Sequence, residues 1–281
     1  MSTIIHNLKS HAKINLNLNI IGKKKSKKLH SIESLVVLID LADEIQISEI
    51  NSKKHQVIFK GNFSKGISKK NTITHLMSII EKKNFLKKKY KILIKKNIPQ
   101  KSGLGGGSMN AATILSFFKK KKILTNKQTI NFAKKIGSDV ILGLNKSPKI
   151  YLPNGKIKEV KKKIKYSLLL VKPNFGCSTQ KIFSVNKVFS KRKYSNTKNQ
   201  ISKKSIIYDK NDLEPSAFRL YPKLRKLKNK LINWKTAEFV RMTGSGSTLV
   251  MYFNSKLTAK NTLKISKRKL NNCWCNLSKV I

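Results

Sequence analysis

Four glycines fall within five positions, at Gly103, Gly105, Gly106 and Gly107, with Leu104 between the first two and Ser108 directly after them. No strand or helix interior tolerates that density, because each glycine costs about 0.5–1 kcal/mol relative to alanine in lost chain freedom. The segment must therefore join elements. Before it, Tyr90, Ile92 and Ile94 alternate with lysines, the period of a strand. After it, residues 108–118 carry small and apolar side chains at helical spacing. Glycines let backbone N–H groups approach an anion closely, and a helix beginning at Ser108 aims the positive end of its dipole at the same spot. The loop reads as a phosphate cradle. It is not the Walker loop, since no Gly-Lys-Ser/Thr follows at the required spacing.

Around this loop the pattern is mixed. Ile14, Leu16, Leu18 and Ile20 alternate with Lys13, Asn15, Asn17 and Asn19, which predicts a half-buried strand over 14–20. Further strands are expected over 34–39 and 45–50, on either side of a turn at 40–43, and over 57–60, 90–95, 150–152, 157–160, 167–172, 237–242 and 248–253. Helices are expected over 71–85 with Asn71 as N-cap, over 126–136 ending at Gly137, and over 211–218, 223–234 and 259–270. The segment 187–204, rich in Lys, Ser and Asn, reads as a mobile linker or a long surface loop. The length suggests two domains or one large α/β domain, and the domains are placed at 1–160 and 161–281.

Lys and Arg number 62 against 12 Asp and Glu, a net charge of +50, yet only five of the 62 are arginines. A protein built to read bases or grip phosphates in bidentate fashion would use more Arg. Codon drift that fills solvated positions with lysine explains the balance better, although the positive field still attracts phosphate-rich ligands. With 39% hydrophobic residues, disorder over the whole length is excluded. No apolar run approaches the roughly 20 residues of a membrane span, and no leader-like stretch opens the chain, so a cytoplasmic protein without a membrane partner is expected. Cys177, Cys273 and Cys275 make neither a disulfide framework nor a metal cluster and read as packing residues.

Only five aspartates are present: Asp40, Asp43, Asp139, Asp209 and Asp212. In a chain so stripped of acids, those that persist are enriched for tasks that lysine cannot perform. Asp139 follows Gly137 and heads an apolar segment, so it is either an N-cap or first-turn acid, or a base for an alcohol nucleophile, which would need a cation beside it. Lys13 is a candidate for that cation.

Three segments in order resemble the superfamily of galactokinase, homoserine kinase, mevalonate kinase and phosphomevalonate kinase, the GHMP kinases. They are Ala12-Lys13-Ile14-Asn15-Leu16, the stretch from Pro99 to Ala112, and Thr243-Gly244-Ser245-Gly246-Ser247. Within it, the chain is similar to the branch that phosphorylates a cytidine diphosphate ester of methylerythritol. His30 with Glu33, Asp40 to Glu44, Gly137-Ser138-Asp139-Val140, Thr179 with Phe183, and Asn211-Asp212-Leu213-Glu214 carry that closer similarity.

The resemblance implies a two-domain α+β fold, its N-terminal half related to a ribosomal-protein domain and its C-terminal half a ferredoxin-like α/β sandwich. It implies an ATP-dependent small-molecule kinase of isoprenoid precursor synthesis, with Mg²⁺ as cofactor and the cytidine diphosphate methylerythritol as substrate. Asp139 becomes the catalytic base and Lys13 its partner. Pro99, Gly103, Leu104, Gly105, Gly106, Gly107, Ser108 and Asn110 belong to the ATP loop, Asn71 approaches the adenine, and Gly244, Ser245 and Gly246 close over the phosphates. Asn15 orients the methylerythritol, while His30, Thr179 and Phe183 hold the cytosine. No metal ligand is assigned, although Ser108 is expected near the ion. Two departures stand out: Lys27-Lys28-Leu29 replaces the usual Asp-Gly-Tyr, and Met109 replaces a serine. The alternatives are another kinase of the superfamily acting on homoserine or mevalonate, and a basic RNA-binding protein.

Overall fold

A computed structural model describes residues 4–23, 30–194 and 201–281. The chain runs β1 (Ile5–Asn15), β2 (Asn19–Lys23), β3 (His30–Ile50), β4 (Gln56–Lys60), α1 (Thr72–Glu81), β5 (Lys89–Lys95), α2 (Gly106–Lys120) and α3 (Asn126–Ile136). After a 3-10 turn, Val140–Gly143, it continues through β6 (Lys149–Tyr151), β7 (Ile157–Glu159), β8 (Ser167–Pro173), α4 (Thr179–Ser184), α5 (Lys203–Tyr208), α6 (Glu214–Leu220) and α7 (Pro222–Asn233). It closes with β9 (Phe239–Met242), β10 (Leu249–Phe253), α8 (Lys256–Lys269) and β11 (Cys273–Lys279).

The described residues fall into two compact units that interleave along the sequence. One comprises 4–13, 41–100 and 105–146, the other 14–40, 101–104 and 147–281. The chain enters the second unit early, within β1, and leaves it again within β3.

In the first unit, the later half of β3 pairs antiparallel with β5, and β4 runs parallel to β5 on its other edge. Ile45, Ile47, Ile92 and Ile94 point from these strands into a core completed by three helices. Asn71 nucleates α1 through a capping box, and Ile73, Leu76, Met77 and Ile80 at helical spacing form its buried face. Ala111 and Ala112 on α2 are small enough for close helix approach, and Ile114, Leu115 and Phe118 fill the space beyond them. Each such large side chain contributes about 1.5–3 kcal/mol on burial.

The second unit holds an antiparallel sheet in the order β11, β8, β10, β9. Strand β8 reads Leu-Leu-Leu-Val with every one of those residues buried, the continuous apolar run of a strand covered on both faces. Leu213, Ala217, Leu224, Leu231 and Ala259 bring α6, its preceding residue, α7 and α8 onto the sheet. From β8 onward the strands and helices follow a ferredoxin-like β-α-β-β-α-β order, with the last strand beside the first.

Three expectations are corrected here. The alternation at 14–20 is split between β1 and β2, and its polar face is buried as fully as its apolar one: Lys13, Asn15, Asn17 and Asn19 are all inside. Hydrogen bonds make that tolerable, as when Asn17 Oδ1 accepts the Leu35 N–H at 2.6 Å. The expected turn at 40–43 does not exist, since β3 continues for 21 residues. Its aspartates serve other segments: Asp40 accepts from Ser278 Oγ and, at 2.9 Å, from the Lys279 N–H on β11. The part of the 187–204 segment that lies among the described residues is docked, not loose. The fully buried Glu33 accepts the backbone N–H groups of Lys193 and Tyr194 at 2.7 and 3.1 Å, and Tyr194 is buried.

Candidate active site

In the first unit, β1 ends by carrying Lys13 into the interior, where its side chain is 6% exposed. Its ammonium lies 3.2 Å from Asp139 Oδ2, while the Asp139 side chain keeps 36% exposure. Asp139 stands at the head of the 3-10 turn but makes no capping hydrogen bond with its side chain. Its side chain therefore does not act as a cap, which leaves the readings as a first-turn acid and as a base. The carboxylate faces a buried cation and solvent, a setting in which a carboxylate can accept a proton.

Helix α2 begins at Gly106, two residues before the expected start at Ser108. Gly105 precedes it with φ 71°, a left-handed conformation that glycine adopts without strain. A Cβ at Gly105 would stand 2.9 Å from Lys13 Cγ, so the bare glycine backbone lies directly on the lysine stem. The first-turn N–H groups of α2 belong to Gly106, Gly107 and Ser108, and the N-cap supplies no side chain to them. A Cβ on Gly107 would meet Thr72 Oγ1 at 3.5 Å, which places the start of α1 beside the same turn.

Two expected nucleotide contacts are otherwise engaged. The Asn71 side chain accepts from the Ile73 and Thr74 N–H groups and donates to the Ser68 carbonyl at 2.9 Å, so it serves the α1 cap. Asn110 is 1% exposed and donates to Asp43 Oδ2 at 3.0 Å, away from solvent. Met109, the unexpected apolar residue in the loop helix, is buried, and a Cβ at Gly143 would come within 2.9 Å of its sulfur. Its change from serine suits an interior position. Pro99 is buried as well.

In the second unit, Gly103 and Leu104 lie with the turn formed by Thr243, Gly244, Ser245 and Gly246. Leu104 is fully buried. A Cβ on Gly103 would collide with the Thr243 carbonyl oxygen, and one on Gly244 would sit 3.2 Å from the Gly103 carbonyl. Asn15 donates its backbone N–H to Thr243 Oγ1 at 3.0 Å and its side-chain amide to Ser34 Oγ at 2.8 Å. Asn211 secures the turn from below, donating to the Met242 and Gly244 carbonyls at 2.7 and 2.8 Å. The Thr179 and Ser245 hydroxyls lie 2.7 Å apart. His30 and Phe183 form a tilted ring pair with centroids 5.3 Å apart. Burial, and then the Lys23 ammonium, hold the His30 imidazole below its ordinary pKa, which favours its neutral form. The substitution at Lys27-Lys28-Leu29 lies outside the described residues.

Sequence reasoning gave no role to Thr243, Ser34 or Asp43. The scarcity of aspartate was the available signal for the last of these. Among the described residues no group of three His, Cys, Asp or Glu side chains stands ready to hold a metal, and no helix is long and apolar enough to cross a membrane.

With a lysine–aspartate ion pair beside a glycine-led helix on a two-unit α+β scaffold, the chain matches the GHMP kinases. Residues 71–149 match the GHMP kinase N-terminal domain and residues 198–271 the GHMP kinase C-terminal domain. A 4-diphosphocytidyl-2-C-methyl-D-erythritol kinase of Pelagibacter ubique is 49% identical over 98% of each chain. One of Caldanaerobacter subterraneus is 32% identical over 88% of each. The fold matches a crystal structure of 4-(cytidine 5'-diphospho)-2C-methyl-D-erythritol kinase with TM-score 0.78 at 20% identity, covering 97% of this chain and 99% of that one. Homoserine kinase from Cytophaga hutchinsonii shares the fold at TM-score 0.66 and 13% identity, covering 100% of this chain and 95% of that one. The chain belongs to the 4-diphosphocytidyl-2-C-methyl-D-erythritol kinase family.

Proposed function

We propose that this kinase transfers the γ-phosphoryl group of ATP to the 2-hydroxyl of 4-diphosphocytidyl-2-C-methyl-D-erythritol, in the cytoplasm, within the non-mevalonate route to isoprenoid precursors. The Lys13–Asp139 ion pair, alongside the N-terminal turn of α2, carries the reading. Asp139 accepts the hydroxyl proton, the oxygen bonds to the γ-phosphorus as the bond to the bridging oxygen breaks, and ADP leaves. Lys13 holds the carboxylate in place before transfer. The N–H groups of Gly106, Gly107 and Ser108 take phosphate oxygens, with the helix dipole stabilising the charge they carry.

A magnesium ion fits this chain as one carried in on the nucleotide, because Mg²⁺ retains water and phosphate oxygens and needs only one or two protein oxygens. Ser108 would be such an oxygen. When bound, the ion neutralises phosphate charge.

On the acceptor side, the neutral His30 and the Phe183 ring suit the edge and face of a cytosine, and Thr179, held by Ser245, supplies a hydroxyl. Asn15, fixed by Ser34 and Thr243, suits the methylerythritol hydroxyls. The test is ADP release by the purified protein with the cytidyl substrate, homoserine and mevalonate in parallel. Turnover confined to the cytidyl substrate supports the reading, and turnover of either other alcohol at comparable kcat/KM overturns it.

A further inference from the structure

Asp43 lies within β3 with no exposure, and four donors converge on its carboxylate. Oδ1 accepts the backbone N–H groups of Asn97 and Ile98, both at 2.8 Å. Oδ2 accepts the Lys96 ammonium and, at 3.0 Å, the side-chain amide of Asn110. Residues 96–98 are where the chain leaves β5 for the glycine loop, and Asn110 sits in the second turn of α2, where the loop has ended. One carboxylate therefore grips both flanks of the loop. Lys96 is 4% exposed, and a Cβ on Gly106 would stand 3.2 Å from its Nζ, so the ammonium lies against the first residue of α2.

Stability alone is a weak reason for such an arrangement, since burying two charges forfeits much hydration and an apolar pair of like volume serves as well or better. What a saturated polar network supplies is a single geometry. A glycine-rich loop has unusual freedom to lose on binding, and holding it in the bound shape removes that cost from the affinity. Asn110 makes the link visible: its amide reaches Asp43 while its Oδ1, equally buried, has no hydrogen-bond partner.

We infer that Asp43, acting through Lys96 and Asn110, is a positioning residue that presets the glycine loop for the phosphates of the nucleotide. The inference rests on the reading of that loop as the ATP site. It makes Asn110 a support of the loop with no contact of its own to ATP.

Asn110→Ala severs the helix flank, leaves the Lys96–Asp43 pair intact and places a good helix former in α2. ATP affinity by calorimetry, KM for each substrate and thermal stability are measured on wild type and variant. The dissociation constant and KM for ATP should rise roughly tenfold, while KM for the cytidyl substrate stays within about twofold. Asp43→Asn should move ATP affinity further in the same direction. An Asn110→Ala protein with wild-type affinity for ATP, or with equal losses for both substrates, overturns the inference. A wild-type protein that binds no ATP overturns the nucleotide reading itself and removes the inference with it.

Discussion

The Lys13 ammonium stands 3.2 Å from the Asp139 carboxylate, with the lysine buried and the aspartate open to solvent. The asymmetry matters: the cation is fixed by its surroundings, whereas the carboxylate can be reached. Asp139→Asn keeps the shape and removes the basic oxygen. Turnover should fall about 10²–10⁴-fold while ATP affinity, read by calorimetry, stays close to wild type. A kcat within a few-fold of wild type would remove Asp139 from the mechanism.

Gly105→Ala tests how closely the dyad depends on the loop. A side chain at φ 71° is strained, and its Cβ would stand 2.9 Å from Lys13 Cγ and 3.0 Å from Cε. The lysine must shift. Misplacement by about 1 Å can cost on the order of 10²-fold in rate. We expect kcat to drop by about that factor, with left-handed strain adding roughly 1–2 kcal/mol of destabilisation in a denaturant titration.

Phe183→Ala removes one ring of the pair with His30. KM for the cytidyl substrate should rise roughly tenfold, as expected for loss of about 1–3 kcal/mol of stacking on a base. KM for ATP should change far less. Steady-state kinetics with each substrate varied in turn makes the comparison, and equal effects would place the cytosine elsewhere.

Lys149 gives a pH prediction. It is 3% exposed, and burial pulls its ammonium from 10.5 down to about 8, against the smaller opposing pull of Glu159. Below pH 8 both folded and unfolded chains carry the proton, so the full desolvation cost is present. Between pH 8 and 10.5 the unfolded chain binds more protons, and this group's contribution to stability rises with pH. Lys149→Met should therefore be the more stable protein at pH 7, by about 1–3 kcal/mol, with the gap closing toward pH 10. Melting curves of both proteins across that range give the difference, and a constant gap would mean that Lys149 is not the titrating group.

Much of the candidate site is legible in the sequence, because glycine and aspartate are informative in a chain otherwise filled with lysine. Spacing placed the loop between strand and helix, and family resemblance paired Lys13 with Asp139. Composition misled at β3, where Asp40 and Asp43 carry the signature of a turn and yet sit within one strand, held there by donors distant in sequence. β11 went unread because it is an edge strand of half-buried residues with little alternation to find. The burial of Asn15 and Asn17 was equally invisible, since only the fold supplies Ser34, Thr243 and the Leu35 N–H as partners.

A Cβ on Gly103 would collide with the Thr243 carbonyl oxygen, and one on Gly244, at φ 55°, would press to 3.2 Å on the Gly103 carbonyl. The information at these two positions lies in what is missing from them. In a saturation library selected for activity, both should tolerate almost no replacement, and a compensating change at one should not rescue the other, because neither side of the contact has a side chain to shorten.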